Sequence, residues 1–405
     1  RDGAVVVVDN DSGDVLAYVG GVGGASTAPQ VDGANSYRQA GSTLKPFLYA
    51  QAIERGYLTP ASILDDSPVQ LDTASGLYVP QNYDRDFKGP VSARTALAGS
   101  LNVPAVRTLL LVGVEPFRDR LWDSGYHGLV EDGQYYGFSL ALGSAEVTLL
   151  EQVAAYRSLA RGGRWRPLRL TADAPLAAER AVTTPQAAWL VGSMLSDSNA
   201  RAVTFGLESA LSLPFWSAVK TGTSKALRDN WCIGFTRRYT VGVWVGNLEG
   251  DPMRAVSGTS GAAPVWRDVM RALDPGDAAP PPPPPGIDTR RIAFADRIEQ
   301  PRTEYFLAGT AQAQFGAAPP AARRPRITNP VSGSVYALDP DIPIARQRLA
   351  IGVSGEAAAH RLWLDQRELG AADAQPLVLP GPGRHLIRLV DLAGRVVDQV
   401  AFTVR

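Results

Sequence analysis

Short strands at both ends of the first 273 residues, with helical stretches between them, predict a mixed, largely antiparallel sheet flanked by helices, an α/β arrangement of the α+β kind. Six consecutive prolines, Pro280 to Pro285, mark the clearest boundary in the chain. From Arg326 onward the pattern changes to short alternating strands between Gly- and Pro-containing turns, which predicts a small all-β, sandwich-like module. Three stretches follow: 1–273, a Pro-rich linker and extension over 274–325, and a β module over 326–405.

Residues 4–8 and 15–19 read as two strands joined by the turn-rich segment Asp9-Asn10-Asp11-Ser12-Gly13. A Gly-rich loop over 20–35 follows; no Gly-Lys-Ser/Thr comes after it, which excludes a phosphate loop. Residues 39–56 form a mostly apolar helical run, entered through Gly41 and stopped at Gly56. The stretch 57–92 is rich in turns and aromatics (Tyr78, Tyr83, Phe87) and is expected to lie over the site. A helix, a break at Ser100-Leu101-Asn102 and a second helix occupy 92–112. A core helix ends at Gly162-Gly163, and Thr184-Pro185 opens another. Strands are expected over 215–223, 231–235 and 240–245. Pro264 then opens an amphipathic helix with Val265, Trp266, Val269, Met270 and Leu273 on its apolar side.

Composition excludes several classes. Forty basic and forty acidic residues leave no electrostatic footprint for nucleic acid or anionic lipid. No apolar run reaches the eighteen or so residues of a membrane span. Cys232 is a lone cysteine in an apolar strand, read as a buried core residue. Of three histidines only His127 falls in the first 270 residues, which argues against a Ser-His-Asp hydrolase or a multi-histidine metal site. No metal or cofactor is expected. Beginning at Arg1 inside a strand predicts a processed or truncated product with an upstream part missing.

Lysine is scarce: Lys45, Lys88, Lys220 and Lys225 stand against 36 arginines. Arginine stays protonated, whereas a buried lysine can lose its proton and act as a base. Two of the four sit in suggestive surroundings. Ser42 and Lys45 are three apart at a helix start, which stacks them on one face. Lys220-Thr221-Gly222-Thr223 ends a strand, and Ser100-Leu101-Asn102 occupies the break between helices. Ser217 and Lys220 repeat the Ser-x-x-Lys spacing, but on a strand that spacing points the side chains to opposite faces. His127, Lys88, Lys225 and Arg237-Arg238 are read as surface or turn residues.

Taken together, these three motifs resemble the penicilloyl-serine transferases, most closely the transpeptidase part of bifunctional class A penicillin-binding proteins. The resemblance runs from about residue 3 to 273 and includes Ala40-Gly-Ser-Thr-Leu-Lys-Pro-Phe47 and Ser217-Ala-Val-Lys-Thr-Gly-Thr-Ser224. Val5-Val-Val-Val-Asp-Asn10 and residues 301–310 look alike too, and the β module is similar to the C-terminal domain of the 1C subgroup. The second motif departs from the usual pattern only in having Leu101 at its variable position. The resemblance implies an upstream membrane anchor and glycosyltransferase domain, a periplasmic location, peptidoglycan stem peptides and β-lactams as ligands, and an α2-macroglobulin-like envelope partner.

It also implies roles. Ser42 would be the nucleophile, Lys45 its base, Lys220 a cation beside Lys45, Ser100 a proton relay, and Asn102 an orienting amide. Thr221, Gly222 and Thr223 would bind substrate. The backbone N–H groups of Ser42 and Thr223 would form an oxyanion hole, worth ~3–4 kcal/mol per donor. The expected reaction is D,D-transpeptidation through a Ser42 acyl-enzyme. Alternatives are a D,D-carboxypeptidase or β-lactamase of the same fold, and a catalytically idle β-lactam-binding scaffold. Glu131, Glu146 and Glu151 are not in a Glu-x-x-Leu-Asn type loop, which weakens the lactamase reading.

Overall fold

The structure, a computed structural model, describes residues 1–73, 76–82, 86–253, 256–274, 278–316, 325–330, 332–336, 347–354, 357–374, 376–378 and 380–405. The chain forms two compact units, Arg1–Ala317 and Ala318–Arg405.

The first unit is organised by a five-stranded sheet of β1 (Asp2–Asp9), β2 (Val15–Val19), β3 (Ala218–Thr223), β4 (Asp229–Phe235) and β5 (Tyr239–Gly246). The order is β3-β4-β5-β1-β2, and every neighbouring pair is antiparallel. The consecutive valines of β1 are explained by burial on both faces. Val6 and Val8 join the larger core, under helices α1 (Lys45–Glu54), α2 (Ala93–Ala98), α3 (Asn102–Val112), α4 (Leu149–Ala160) and α5 (Pro185–Leu195). Val7 faces the other way, toward α6 (Ala263–Leu273), where Trp266 and Met270 are fully buried. The expected apolar stripe of α6 is narrower than the sequence reading: Val265 is exposed. Cys232 is buried in this second core, as expected.

Local chemistry sets the helix boundaries. Thr184 caps α5 through its hydroxyl, with Pro185 at the first helical position. Thr148 and Glu151 form a reciprocal capping box on α4. The break between α2 and α3 contains Ser100 at a φ of 60°, left-handed backbone that a non-glycine residue adopts only under constraint.

The proline run does not end the first unit. Its carbonyls lack partners of their own and become acceptors for the helices beside them. Trp189 Nε1 donates to Pro281 O at 3.0 Å, Gln186 Nε2 to Pro285 O at 2.7 Å, and Trp216 N to Ala278 O at 3.0 Å. Beyond it, β6 (Ile287–Phe294), β7 (Arg302–Leu307) and β8 (Gln314–Phe315) form a three-stranded sheet. Ile292, Phe294, Phe306 and Phe315 pack there with Ala61. The compact unit thus extends past residue 273, through the proline run and this small sheet, to Ala317. The Pro/Arg-rich patch at 319–325 lies outside the described residues except for Pro325, as does Tyr83.

This small sheet also holds α2. Glu304, fully buried on β7, accepts from Arg94 Nε at 2.8 Å and ion-pairs with Arg94 Nη2. Arg94 Nη1 donates to Ser193 O at 2.9 Å, and Ser92 N donates to Glu299 Oε1 at 2.7 Å. Burial raises the Glu304 pKa, but the hydrogen bond and charge of Arg94 outweigh it and hold the carboxyl below the ordinary glutamate range.

In the second unit, β9 (Val335–Tyr336), β10 (His360–Leu364), β11 (Arg367–Ala371), β12 (Gly383–Asp391) and β13 (Val396–Val404) form a sheet ordered β9-β13-β12-β10-β11. Leu362, Ile387, Leu389, Val400 and Phe402 share one core, the period-2 pattern expected of a one-sided sheet. Two shorter strand pairs, 326–329 with 352–354 and 349–350 with 377–378, complete what is described. No helix among the described residues is long and apolar enough to cross a membrane.

Removing one partner of a buried ion pair strands the other charge. Glu304→Ala should therefore lower stability by about 3–5 kcal/mol in chemical denaturation. A loss under about 1 kcal/mol would show that the pair does not anchor α2.

Candidate active site

Ser42 sits in a tight 3-10 turn, Gly41–Leu44, that runs directly into α1. Neighbouring backbones crowd this turn. Gly41 has a φ of 56°, and a Cβ there would lie 2.7 Å from Thr223 O. A Cβ on Gly143 would lie 1.8 Å from Gly41 O, and one on Gly222 would lie 2.7 Å from Ala40 O. Glycine is required wherever main chains approach this closely. The turn is also bound from two sides: Tyr156 OH donates to Thr43 O at 2.7 Å, and Trp231 Nε1 donates to Gln39 O at 2.8 Å. Gln152 Nε2 donates to Thr43 Oγ1, which donates in turn to Ala40 O at 2.8 Å. Ser42 itself is half-buried, and its hydroxyl makes no hydrogen bond to any described residue.

One helical turn from Ser42, the Lys45 side chain is fully buried. Its Nζ donates to Asn102 Oδ1 at 2.6 Å, Ser100 O at 2.7 Å and Leu101 O at 3.1 Å. The left-handed Ser100 turns its carbonyl toward this lysine while its hydroxyl reaches the other one: Lys220 Nζ donates to Ser100 Oγ at 2.7 Å and to Thr221 O at 2.9 Å. Lys220 is 2% exposed. The structure thus brings Lys45, Ser100, Asn102 and Lys220 into one hydrogen-bonded set beside the Ser42 turn. Burial, and then the charge of Lys220, hold the Lys45 amine well below the ordinary lysine range, against an opposing pull from Asp66. Burial brings Lys220 down to about 7.

Strand β3 is the edge strand of its sheet. Ser224 N donates to Asp229 O at 2.9 Å, so alternation along the ladder points the Thr221 and Thr223 N–H groups away from β4. The Thr223 N–H is thereby directed to the side on which the Gly41 turn packs. The side chains alternate too. Lys220 faces the Ser100 turn, whereas Thr221 and Thr223 lie on the α6 face, where Thr223 Oγ1 accepts from Gly258 N at 3.1 Å. Ser217 precedes β3 and is not joined to Lys220. His127 packs against Trp122 with its ring tilted, 5.1 Å between ring centroids, and is not joined to these groups.

Sequence reasoning missed several supports. Gln152, Tyr156 and Gly143 come from distant segments, and only the helix register of α4 hinted that two polar residues face a core. Asn82 and Asp66 were missed as well. Asn102 N donates to Asn82 Oδ1 at 2.8 Å, and Asn102 Nδ2 donates to Gln81 O at 2.7 Å. Among the described residues no group of three His, Cys, Asp or Glu side chains is placed to hold a metal.

Comparison with known proteins agrees with this geometry. Residues 3–271 match the penicillin binding protein transpeptidase domain, and residues 316–402 match the penicillin-binding protein C-terminus family. Penicillin-binding protein 1C of Escherichia coli is 38% identical over 272 residues, covering 67% of this chain and 34% of that protein. Penicillin-binding protein 1A of Aquifex aeolicus is 30% identical over 333 residues, covering 76% and 44%. The chain thus spans between a third and a half of the length of these relatives. Among solved structures, penicillin-binding protein 1A of Haemophilus influenzae superposes with a TM-score of 0.66 at 26% identity, over 78% of this chain and 54% of that one. PonA1 of Mycobacterium tuberculosis in complex with penicillin V gives 0.56 at 25% identity, over 70% and 84%. With its mixed fold, antiparallel sheet and matched length, the chain belongs to the penicillin-binding protein transpeptidase family.

Proposed function

We propose that this protein is a D,D-transpeptidase that cross-links peptidoglycan stem peptides through a Ser42 acyl-enzyme and is acylated at the same serine by β-lactams. The observation that carries the reading is the pair of buried lysines bridged by the Ser100–Asn102 turn beside Ser42. The family supplies the substrate class, and the homologues' place in the cell envelope supports action at the periplasmic face of the membrane.

In this mechanism the Ser42 hydroxyl attacks the carbonyl between the two terminal D-alanines, and its proton passes to neutral Lys45. The oxyanion is held by the N–H groups of Ser42 and Thr223. The amine of the departing D-alanine takes a proton from Ser100 Oγ, which is replenished through Lys220. The side-chain amine of a second stem peptide then attacks the ester and restores Ser42. A β-lactam follows the first half only, its ring amide opening as Ser42 acylates. Asn102 orients Lys45, and Gly222 lets the Ala40 carbonyl close against β3.

Three outcomes test this. Intact mass after incubation with penicillin should rise by one adduct, which is lost in Ser42→Ala and retained in Ser217→Ala. Labelling retained in Ser42→Ala would sink the assignment. Lys45→Arg carries a fixed charge and cannot accept a proton, so acylation should fall by about 10²–10⁴. The adduct should outlast removal of free drug by minutes or longer, and release within seconds would favour a hydrolase.

The pH dependence follows from the two lysines. Acylation needs Lys45 neutral and Lys220 protonated, so the rate should rise as Lys45 deprotonates. It should fall again as pH passes the Lys220 value of about 7. Lys220→Arg, which stays charged, should remove the alkaline limb near neutrality. An unchanged alkaline limb in that variant would mean that Lys220 does not titrate in the reaction.

A further inference from the structure

Asp66 is a fully buried carboxylate that the acylation chemistry does not use directly. It ends the strand Ile63–Asp66, and among the described residues no lysine or arginine forms an ion pair with it. Its ligands are instead an amide and a backbone. Asn82 Nδ2 donates to Asp66 Oδ1 at 2.9 Å and to Oδ2 at 2.8 Å, and Lys88 N donates to Oδ2 at 2.9 Å. The second Asn82 amide hydrogen goes to Asp86 O at 2.9 Å.

This arrangement removes an ambiguity. An asparagine side chain can be turned end for end at little steric cost, so its neighbours decide which end faces where. A carboxylate only accepts, so it selects the NH2 end of Asn82. The Oδ1 end is thereby aimed at Asn102 N, the first residue of α3. Gln81 O, one residue earlier, takes Asn102 Nδ2 and so selects the orientation that leaves Asn102 Oδ1 to Lys45. The buried charge thus sets the Asn82 amide, which holds the backbone of Asn102, while the adjoining Gln81 carbonyl sets the Asn102 amide.

We propose that Asp66 is a positioning residue for acylation: through Asn82 it fixes the α3 entry and so holds Asn102 against Lys45. The inference rests on the reading of Lys45 as the base for Ser42. The charged and titratable groups about the two residues come from every side: Lys220 on β3, Tyr49 on α1, whose hydroxyl burial and Asp66 push upward, and Arg107 on α3. Arg107 is turned outward to Asp65, donating to Asp65 O at 2.8 Å and Oδ2 at 3.1 Å. Asp66 raises the Lys45 pKa where Lys220 lowers it, so its charge adds to this positioning.

Asp66→Asn removes the charge while keeping the shape, and it frees Asn82 to turn over. Penicillin acylation at its optimum should fall about 10-fold or more, as for other misplacements of a catalytic group. The acid limb of its pH profile should move to lower pH by up to about one unit, because a lysine that loses a nearby anion gives up its proton more easily. Asn82→Ala breaks the relay but keeps the charge, so it should slow acylation without that downward shift. Circular dichroism and thermal melting identify variants that fail to fold. If Asp66→Asn does not fold, Asn82→Ala alone decides. Normal acylation and an unmoved acid limb in folded Asp66→Asn, or normal acylation in folded Asn82→Ala, would overturn the proposal. Lys45→Arg run alongside separates the two claims: if it acylates normally, the base assignment itself has failed.

Discussion

Two lysine amines are buried side by side about the Ser100 turn, and among the described residues no carboxylate touches either. A buried ammonium without a counter-ion is costly enough that the group gives up its proton instead. The protein meets this constraint with neutral oxygens. Lys45 Nζ has three acceptors within 3.1 Å: two carbonyls and the Asn102 amide. A neutral amine has two N–H bonds, so one acceptor has no hydrogen to receive while the lysine waits as a base. Proton transfer from the nucleophile supplies the third. In the proposed mechanism the site is thereby complementary to the protonated lysine that forms as Ser42 attacks, rather than to the resting state.

The constraint reaches outward through the backbone. The Ser100 turn can present a carbonyl to Lys45 and a hydroxyl to Lys220 only by taking a left-handed conformation, which costs of order 1–3 kcal/mol and persists where the surroundings over-determine it. Here they do so from both ends. Arg94 and Glu304 fix α2 ahead of the turn, and Asn82 and Gln81 fix α3 after it. The nucleophile is placed by the opposite device, the absence of side chains, since Gly41, Gly143 and Gly222 let three backbones meet at distances no Cβ would permit.

What the sequence made legible was local. Ser42 and Lys45 lie one helical turn apart, Thr184 and Pro185 start a helix, and the valines of β1 form a strand, all through short-range geometry that spacing encodes. The proximity of Lys45 to Lys220 was reachable only by resemblance, since nothing within either segment records the other. Gln152, Tyr156, Asp66 and Asn82 stayed invisible for the same reason: each is an ordinary polar residue whose meaning lies in a partner from a distant segment. The hydrogen bonds that the Pro-rich segment makes to Trp189 and Gln186 were equally invisible, because composition reports stiffness and not docking. Thr221 and Thr223 show the limit of a motif read as a string. Strand alternation sends their side chains to the α6 face while the Thr223 N–H points toward the Ser42 turn, so the backbone of that stretch approaches the nucleophile more directly than its hydroxyls do.

The same accounting of partners bears on the fate of an acyl group at Ser42. Rapid hydrolysis requires a carboxylate free to hold and activate a water. Glu151, the acidic residue of the helix packed behind the nucleophile, is committed at both oxygens: Oε2 accepts from Thr148 N at 3.0 Å in the capping box, and Oε1 accepts from His127 N at 3.1 Å. Glu115 accepts from Gly133 N at 2.5 Å, and Glu179 lies between Arg157 and Arg166. Burial raises the Glu151 pKa, yet both of its oxygens are already engaged by backbone N–H groups. The lysine pair can drive acylation and, with an amine arriving as nucleophile, can accept its proton in turn. Under the proposed mechanism the Ser42 acyl group therefore passes to an amine rather than to water, a far weaker nucleophile that these glutamates do not activate.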